Sequence, residues 1–351
     1  MHPVSRIRSG RILAALAATV VGVAVAAPPV YRVTDLGVPD GHDGEQVIDI
    51  NDRAEVLGLL FEPGNWRGIP FVWSAEDGMQ IGRAGRRHVG RDFNALGNAG
   101  QVVGSYSCGR CGGSHAFWWK RGTTLRELPG LYDGAPAWAT AINRHGTVAG
   151  GSYVAEGGWH VVTWDAGQGV VDRTPGLDDP EATGINDRGQ ITGGLRPEAY
   201  DHAMLVDPDG HVTDLGTFPG GNYSFGRAIN GAGTIVGFSE YQDSGFDRKA
   251  FVWTSATGLR DMAEGSAFEG LDADAFDIDD DGEAVGWVGG RAFWWSEADG
   301  MHAMDDLVDP ADPLAGRMAL DGYSRINESG VVAAAGTMGG MVHVFVLTPK
   351  P

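Results

Sequence analysis

Short apolar runs alternate with turn residues along the whole chain, and their grouping repeats. The pattern is clearest at Ala228-Ile229-Asn230-Gly231-Ala232-Gly233-Thr234-Ile235-Val236-Gly237, where two apolar arms flank an Asn-x-x-Gly segment. That arrangement suits a β-hairpin closed by a type I turn with Gly in the left-handed conformation. Asn accepts hydrogen bonds from backbone amides ahead of it, and Gly takes a positive φ without a Cβ clash. Aligned on the last turn position, the copies fall at Ala54, Gly100, Gly146, Gly189, Gly233, Gly282 and Gly330, with spacings of 46, 46, 43, 44, 49 and 48. Repeats of this length belong to propeller blades or helical arrays. Each unit is rich in Gly, β-branched and aromatic residues in short runs and lacks a long helical apolar period, so the elements are strands.

The copies are unequal in informative ways. Ile50-Asn51, Ile142-Asn143, Ile185-Asn186, Ile229-Asn230 and Ile326-Asn327 keep the Ile-Asn pair. Ile278-Asp279 keeps a side chain able to cap the turn, whereas Leu96-Gly97 does not, so the second hairpin must close differently. Ala54 stands where Gly is expected; a left-handed Ala costs about 1 kcal/mol, which predicts an altered turn there.

A third strand follows each hairpin, with an aromatic core as in Phe71-Val72-Trp73, Phe117-Trp118-Trp119 and Phe293-Trp294-Trp295. Both of its faces are apolar, as for a strand packed between neighbouring sheets. A fourth strand, Val212-Thr213-Asp214-Leu215-Gly216, has its best match near the start of the chain, at Val33-Thr34-Asp35-Leu36-Gly37. The expected fold is therefore all-β: one seven-bladed β-propeller of four-stranded antiparallel blades over residues 27–351, closed by the N-terminal strand completing the last blade.

Several of these residues carry a family resemblance. His115-Ala116-Phe117 reproduces a His-Ala-Phe triplet in full, and His202-Ala203, Ala250-Phe251 and Ala292-Phe293 keep parts of it. Together with the Ile-Asn turns and the Asp-Leu-Gly strand ends, residues 31–351 resemble the extracellular HAF-repeat family. The resemblance implies an exported, propeller-like repeat protein and assigns no reaction, so it transfers no catalytic residue.

Charge and the N-terminal segment narrow the setting. Arg6, Arg8 and Arg11 precede an apolar run from Ile12 to Val25, ending in Ala24-Val25-Ala26, which reads as a signal peptide over residues 1–26. The run is shorter than the ~20 residues a membrane span needs, and no second apolar stretch follows, so no integral membrane segment is expected after cleavage. Removing the three arginines takes the formal charge from -20 to -23. That balance argues against nucleic acid as a partner, because phosphate binding needs clustered Lys and Arg. The expected location is secreted or periplasmic.

Candidate chemistry concentrates in the irregular loops between second and third strands, at the end of the ring opposite the repeated turns. Those loops hold Trp66, Tyr106, Tyr153, Trp159, Tyr200 and Tyr241, either a rim that stacks on sugar rings or anchors a peptide, or loop anchors folded over the sheet edges. Cys108 and Cys111, in one such loop, read as a local disulfide, with zinc binding alongside His115 or redox chemistry as alternatives. Asp277, Asp279 and Asp281 imitate half of a calcium loop, yet Gly282 keeps them in register with the turn, so calcium stands beside a purely structural reading. His115, His160, His202 and His343 recur at third-strand starts, where a hydrogen bond within each blade is the simpler role than a shared metal centre. No phosphate-cradling Gly loop, zinc-protease His pair or nucleophile elbow occurs. The reading is an exported non-catalytic binding protein whose long-loop end takes a carbohydrate or peptide. The alternatives are an extracellular hydrolase or lyase acting on a polysaccharide, with or without calcium, and a structural component of the cell surface or envelope.

Overall fold

In a computed structural model, the described residues are 27–81, 89–107, 113–165, 169–197, 200–241 and 247–351. They form antiparallel meanders of four strands. The second runs Val89–Leu96, Gln101–Ser107, Ser114–Lys120 and Arg126–Glu127, and the third Ala137–Ile142, Val148–Tyr153, Trp159–Asp165 and Gly169–Asp172. The fourth, fifth and sixth follow as separate four-stranded sheets over residues 181–214, 224–261 and 273–303. The first meander (44–81) and the last (Ser324–Ile326, Val332–Met338, Met341–Pro349) join in one sheet, touching through the parallel pair Gly44 and Val342. The strand Tyr31–Asp35 lies antiparallel on Met341–Pro349 as the fourth member of the last meander, Tyr31 opposite Pro349 and Asp35 opposite Phe345. Among the described residues no helix is long and apolar enough to cross a membrane.

Buried aromatic and branched side chains from adjoining meanders fill the interfaces. Phe71, Phe117, Phe251, Phe293 and Phe345, all from third strands, are fully buried. The sheets therefore bury both faces, as the two-sided apolar third strands require.

At the repeated turns, one amide side chain serves two sheets. The Oδ1 of Asn230 accepts from the backbone N–H groups of Ala232 and Thr234, both at 3.0 Å, while its Nδ2 donates to the carbonyl of Asp279 in the next meander at 2.9 Å. The same relay runs from Asn143 to Asn186, from Asn186 to Asn230, from Asn51 to Gly97 and from Asn327 to Asn51. These asparagines are almost wholly buried, so each polar atom must find a partner in the protein.

The deviant copies behave as their chemistry dictates. At Gly97, Gln101 takes over: its Oε1 accepts from the Ala99 N–H at 2.9 Å and occupies the space into which a Cβ on Gly97 would project. Asp279 caps its own turn by accepting from the Glu283 N–H at 2.8 Å, yet a carboxylate has no proton to pass on. Burial pushes its carboxyl up to about 7, and the nearby Glu283, Glu328 and Asp281 add to the rise. Ala54 corrects the expectation of an altered turn. It adopts the left-handed conformation outright, with φ 54°, and Asn51 caps the turn as in the other copies, accepting from Arg53 and Glu55.

Two outcomes follow. Ala54→Gly should raise stability by about 1 kcal/mol, by relieving the left-handed Cβ clash, in urea unfolding of the purified protein. Asp279→Asn should restore a donor toward the next turn and remove a buried acid. A raised folded-state pKa gives stability that is complete below the unfolded value near 4 and lost as pH climbs through about 7. The Asn variant should therefore gain about 1–2 kcal/mol at pH 8 and much less at pH 5.

Candidate functional site

The first strands of the meanders neighbour one another, and a bulge in each of the first six turns one residue out of register. The bulged positions include Asn94, Thr183 and Arg227. Asn94 donates to the carbonyl of Ala139 and Thr183 to that of Gly226, both at 2.7 Å, forming a second relay below the asparagine layer. In the last meander Arg325 bridges both ways, to the carbonyls of Phe276 at 2.6 Å and Ile48 at 3.1 Å. Asp49 and Asp277 flank this guanidinium electrostatically while accepting backbone N–H groups of the following meander, Leu96 and Ile326. Desolvation pushes Asp49 up to about 7 and raises Asp277, against the pull of Arg325.

The turn end is closed over by its own side chains. A hollow of about 180 Å³ is lined by the turns of all the meanders. The residues after the Asn position bond around it: Asp52 with Asn98, the Gly231 N–H to Asp280, the Asp280 N–H to Glu328 and the Glu328 N–H to Asp52. Arg144 spans the opening, donating to Asp187 at 2.5 Å and to Asp280 at 2.9 Å. Gly231 leaves room for this bond: a Cβ there would lie 2.6 Å from the Asp280 carboxylate, which would have to shift. These groups are committed to one another.

The opposite end carries the loops. Trp138 and Trp159 pack with ring centroids 3.8 Å apart, and Tyr153 meets Trp159 edge-on at 5.3 Å. Asp179, left-handed at φ 48°, holds this cluster by accepting the Trp159 N–H at 2.7 Å. Asp and Asn tolerate this conformation better than other side chains, since they bond locally. Glu181 follows on the next first strand, its carboxyl raised by desolvation and then by Asp201, against Arg227. Asp201 is bound to Arg196 at 2.9 Å. Beyond it, Tyr223 stacks on Phe238 at 5.5 Å, Arg248 lies 4.2 Å over the Phe238 ring, and Arg227 is paired with Asp274 at 2.9 Å. The assembly is a half-buried aromatic corner followed by an arc of alternating charge.

The sequence candidates divide. Tyr153 and Trp159 belong to this corner. Tyr200 is exposed, and Tyr241 sits beside Lys249, whose ammonium is 4.4 Å from its ring. Tyr106 is buried near the end of the second strand Gln101–Ser107: its hydroxyl donates to Glu127 at 2.9 Å and its ring stacks on His115 at 5.2 Å. The side chain of Trp66, the pair Cys108 and Cys111, and the segment 1–26 lie outside the described residues. Trp138 lies at the start of a first strand and Tyr223 just before another, outside the loops between second and third strands that the sequence singles out. The available signal was a lone Trp among small residues in Ala137-Trp138-Ala139-Thr140-Ala141.

The recurring histidines pair within their own sheets, as expected. His160 bonds Asp172 at 2.7 Å, His202 Asp214 at 3.0 Å, His343 Asp35 at 2.9 Å and His115 Glu127 at 2.8 Å, with Lys249 and Asp261 taking the same places in the fifth meander. The acid also accepts a backbone N–H two residues on, as Asp214 does from Gly216, so it fixes the exit of the fourth strand. Asp277, Asp279 and Asp281 are not gathered on one point: the first accepts amides in the wall, and the second caps a turn. Among the described residues no group of three or more His, Cys, Asp or Glu is arranged to hold a metal.

No family model matches the chain, and no curated protein matches it. Solved structures do resemble it. An oligogalacturonate lyase from Vibrio parahaemolyticus superposes with a TM-score of 0.56 at 11% identity, over 90% of this chain and 93% of that one. A streptogramin B lyase gives 0.52 at 8% identity, over 92% and 98%. At such identities the likeness is one of fold alone: an all-β chain of four-stranded antiparallel sheets, with neighbours of propeller type.

Proposed function

We propose that this chain is an exported, non-catalytic binding protein whose loop end takes a carbohydrate. In this reading the meanders are blades of a closed seven-bladed propeller, joined where Tyr31–Asp35 pairs with the last blade and Asn327 bonds Asn51. Residues 1–26 serve as a cleaved signal peptide, Cys108 and Cys111 form a local disulfide, and the repeats belong with the HAF-repeat proteins.

One observation carries the reading: Trp138, Trp159 and Tyr153 form a half-buried aromatic corner, with the Asp179 carboxylate accepting the Trp159 N–H. Aromatic faces stack on the apolar faces of sugar rings, and a neighbouring carboxylate accepts their hydroxyl protons. A hydrolase or lyase would instead draw on acids converging beside a deep cleft. Here the acids pushed up to about 7, Asp49, Asp279 and Glu45, sit in the channel wall, in a turn and buried against Val344, away from that corner.

The test is a glycan and peptide array probed with the mature protein, with and without calcium, followed by titration of the best ligand. Trp159→Ala should weaken glycan binding about tenfold, the loss of ~1.4 kcal/mol of stacking. Tyr106→Phe should leave affinity unchanged, since that ring is buried. Glycan affinity untouched in a folded Trp138→Ala, Trp159→Ala double variant, or recovery of a peptide ligand alone, would overturn the proposal.

A further inference from the structure

A larger cavity than the hollow at the turns lies between the first and second meanders, at the turn end. It has a volume of about 630 Å³. The outer strand beside it is short. In the first meander the fourth strand, Gly78–Ile81, covers the third as far as Ser74. In the second, Arg126–Glu127 pairs only with Trp118 and Phe117, so Trp119 runs on without an outer neighbour. The cleft opens beside Trp119.

The walls are rings and branched side chains: Val72 and Leu57 on one side, and Phe93, Phe117, Val102 and Trp119 on the other. Charge is confined to the mouth and is already matched. Arg121 of the second meander reaches across to Asp77 of the first at 3.3 Å, and Glu55 is held by Arg53 at 2.6 Å. Gln80 donates to the backbone carbonyl of Asp77 at 2.8 Å. A charged guest would have to break one of these pairs and then bury its own charge among rings, which is costly. An uncharged guest meets neither obstacle, and the exposed Arg121–Asp77 pair is too weakly held to bar its entry. Cavities of this size, apolar with a few polar groups at the rim, suit small-molecule ligands.

We infer that the cleft between the first and second meanders is a binding site for an uncharged, ring-bearing apolar small molecule, separate from the loop end and independent of the carbohydrate reading. Flat rings enter between the Leu57–Val72 side and the Phe93–Phe117–Trp119 wall, and Leu125 narrows the outer side.

The experiment uses the mature protein and three probes. N-phenyl-1-naphthylamine, which is neutral, should bind saturably with one-to-one stoichiometry, and its anionic sulfonated relative, anilinonaphthalene sulfonate, at least tenfold more weakly. Leu125→Trp, which fills the cleft, and Trp119→Ala, which removes a wall, should each weaken the neutral probe at least tenfold with a wild-type melting temperature; Trp159→Ala should not. A measurement on the unmodified chain guards against misfolded variants. Photolysis with benzophenone should attach label within residues 70–81 or 114–125, and excess naphthylamine probe should suppress it. Non-saturable probe binding, equal binding of the anionic probe, or label confined to residues 153–159 would overturn the inference.

Discussion

A buried asparagine amide that must satisfy both its ends holds this fold together. Its oxygen accepts the amides of its own turn and its nitrogen reaches the next turn's carbonyl, 43 to 49 residues away in the four copies from Asn51, Asn143, Asn186 and Asn230. Local turn chemistry thereby becomes a link between sheets. A hydrophobic contact tolerates sliding, whereas a hydrogen bond in a dry site does not. The arrangement also explains its exceptions. Where Gly97 has no amide, Gln101 supplies the cap, and where Asp279 lacks a donor, the acid sits raised in a buried place. The bulged residues one layer deeper, and Arg325 with its two carbonyl partners, continue the linkage down the first strands.

This linkage gives the molecule two unlike ends. At the turn end the asparagine side chains are engaged with the next meander, and Arg144 lies across the opening. Such an end is a clamp. At the loop end the histidine–acid pairs secure the strand exits, and Trp138, Tyr153 and Trp159 pack on one another above the sheet. The cleft beside Trp119 lies next to a short outer strand, Arg126–Glu127.

Much of this was legible. The Asn-x-x-Gly hairpins, the aromatic third strands and the likeness between Val33-Thr34-Asp35-Leu36-Gly37 and Val212-Thr213-Asp214-Leu215-Gly216 anticipate the meanders and the pairing of the first strand with the last. The histidines were legible too, since a repeated polar residue at one register position calls for a repeated partner. Ala54 was half legible: its left-handed turn could be foreseen, but not that the surrounding cap would hold it unaltered. Tyr106, expected in a loop, lies near the end of the second strand Gln101–Ser107, and its local run says nothing of the Glu127 and His115 it meets there.

Turn type, strand alternation and repeat length were determined by the sequence alone, because each depends on residues a few positions apart whose backbone preferences are intrinsic. Which side chains meet was decided only in three dimensions. Arg144 finds Asp280 and Arg121 finds Asp77 across separations of 136 and 44 residues, each between different sheets. Those distances depend on how whole sheets settle against one another, a collective packing outcome that no local run of residues encodes.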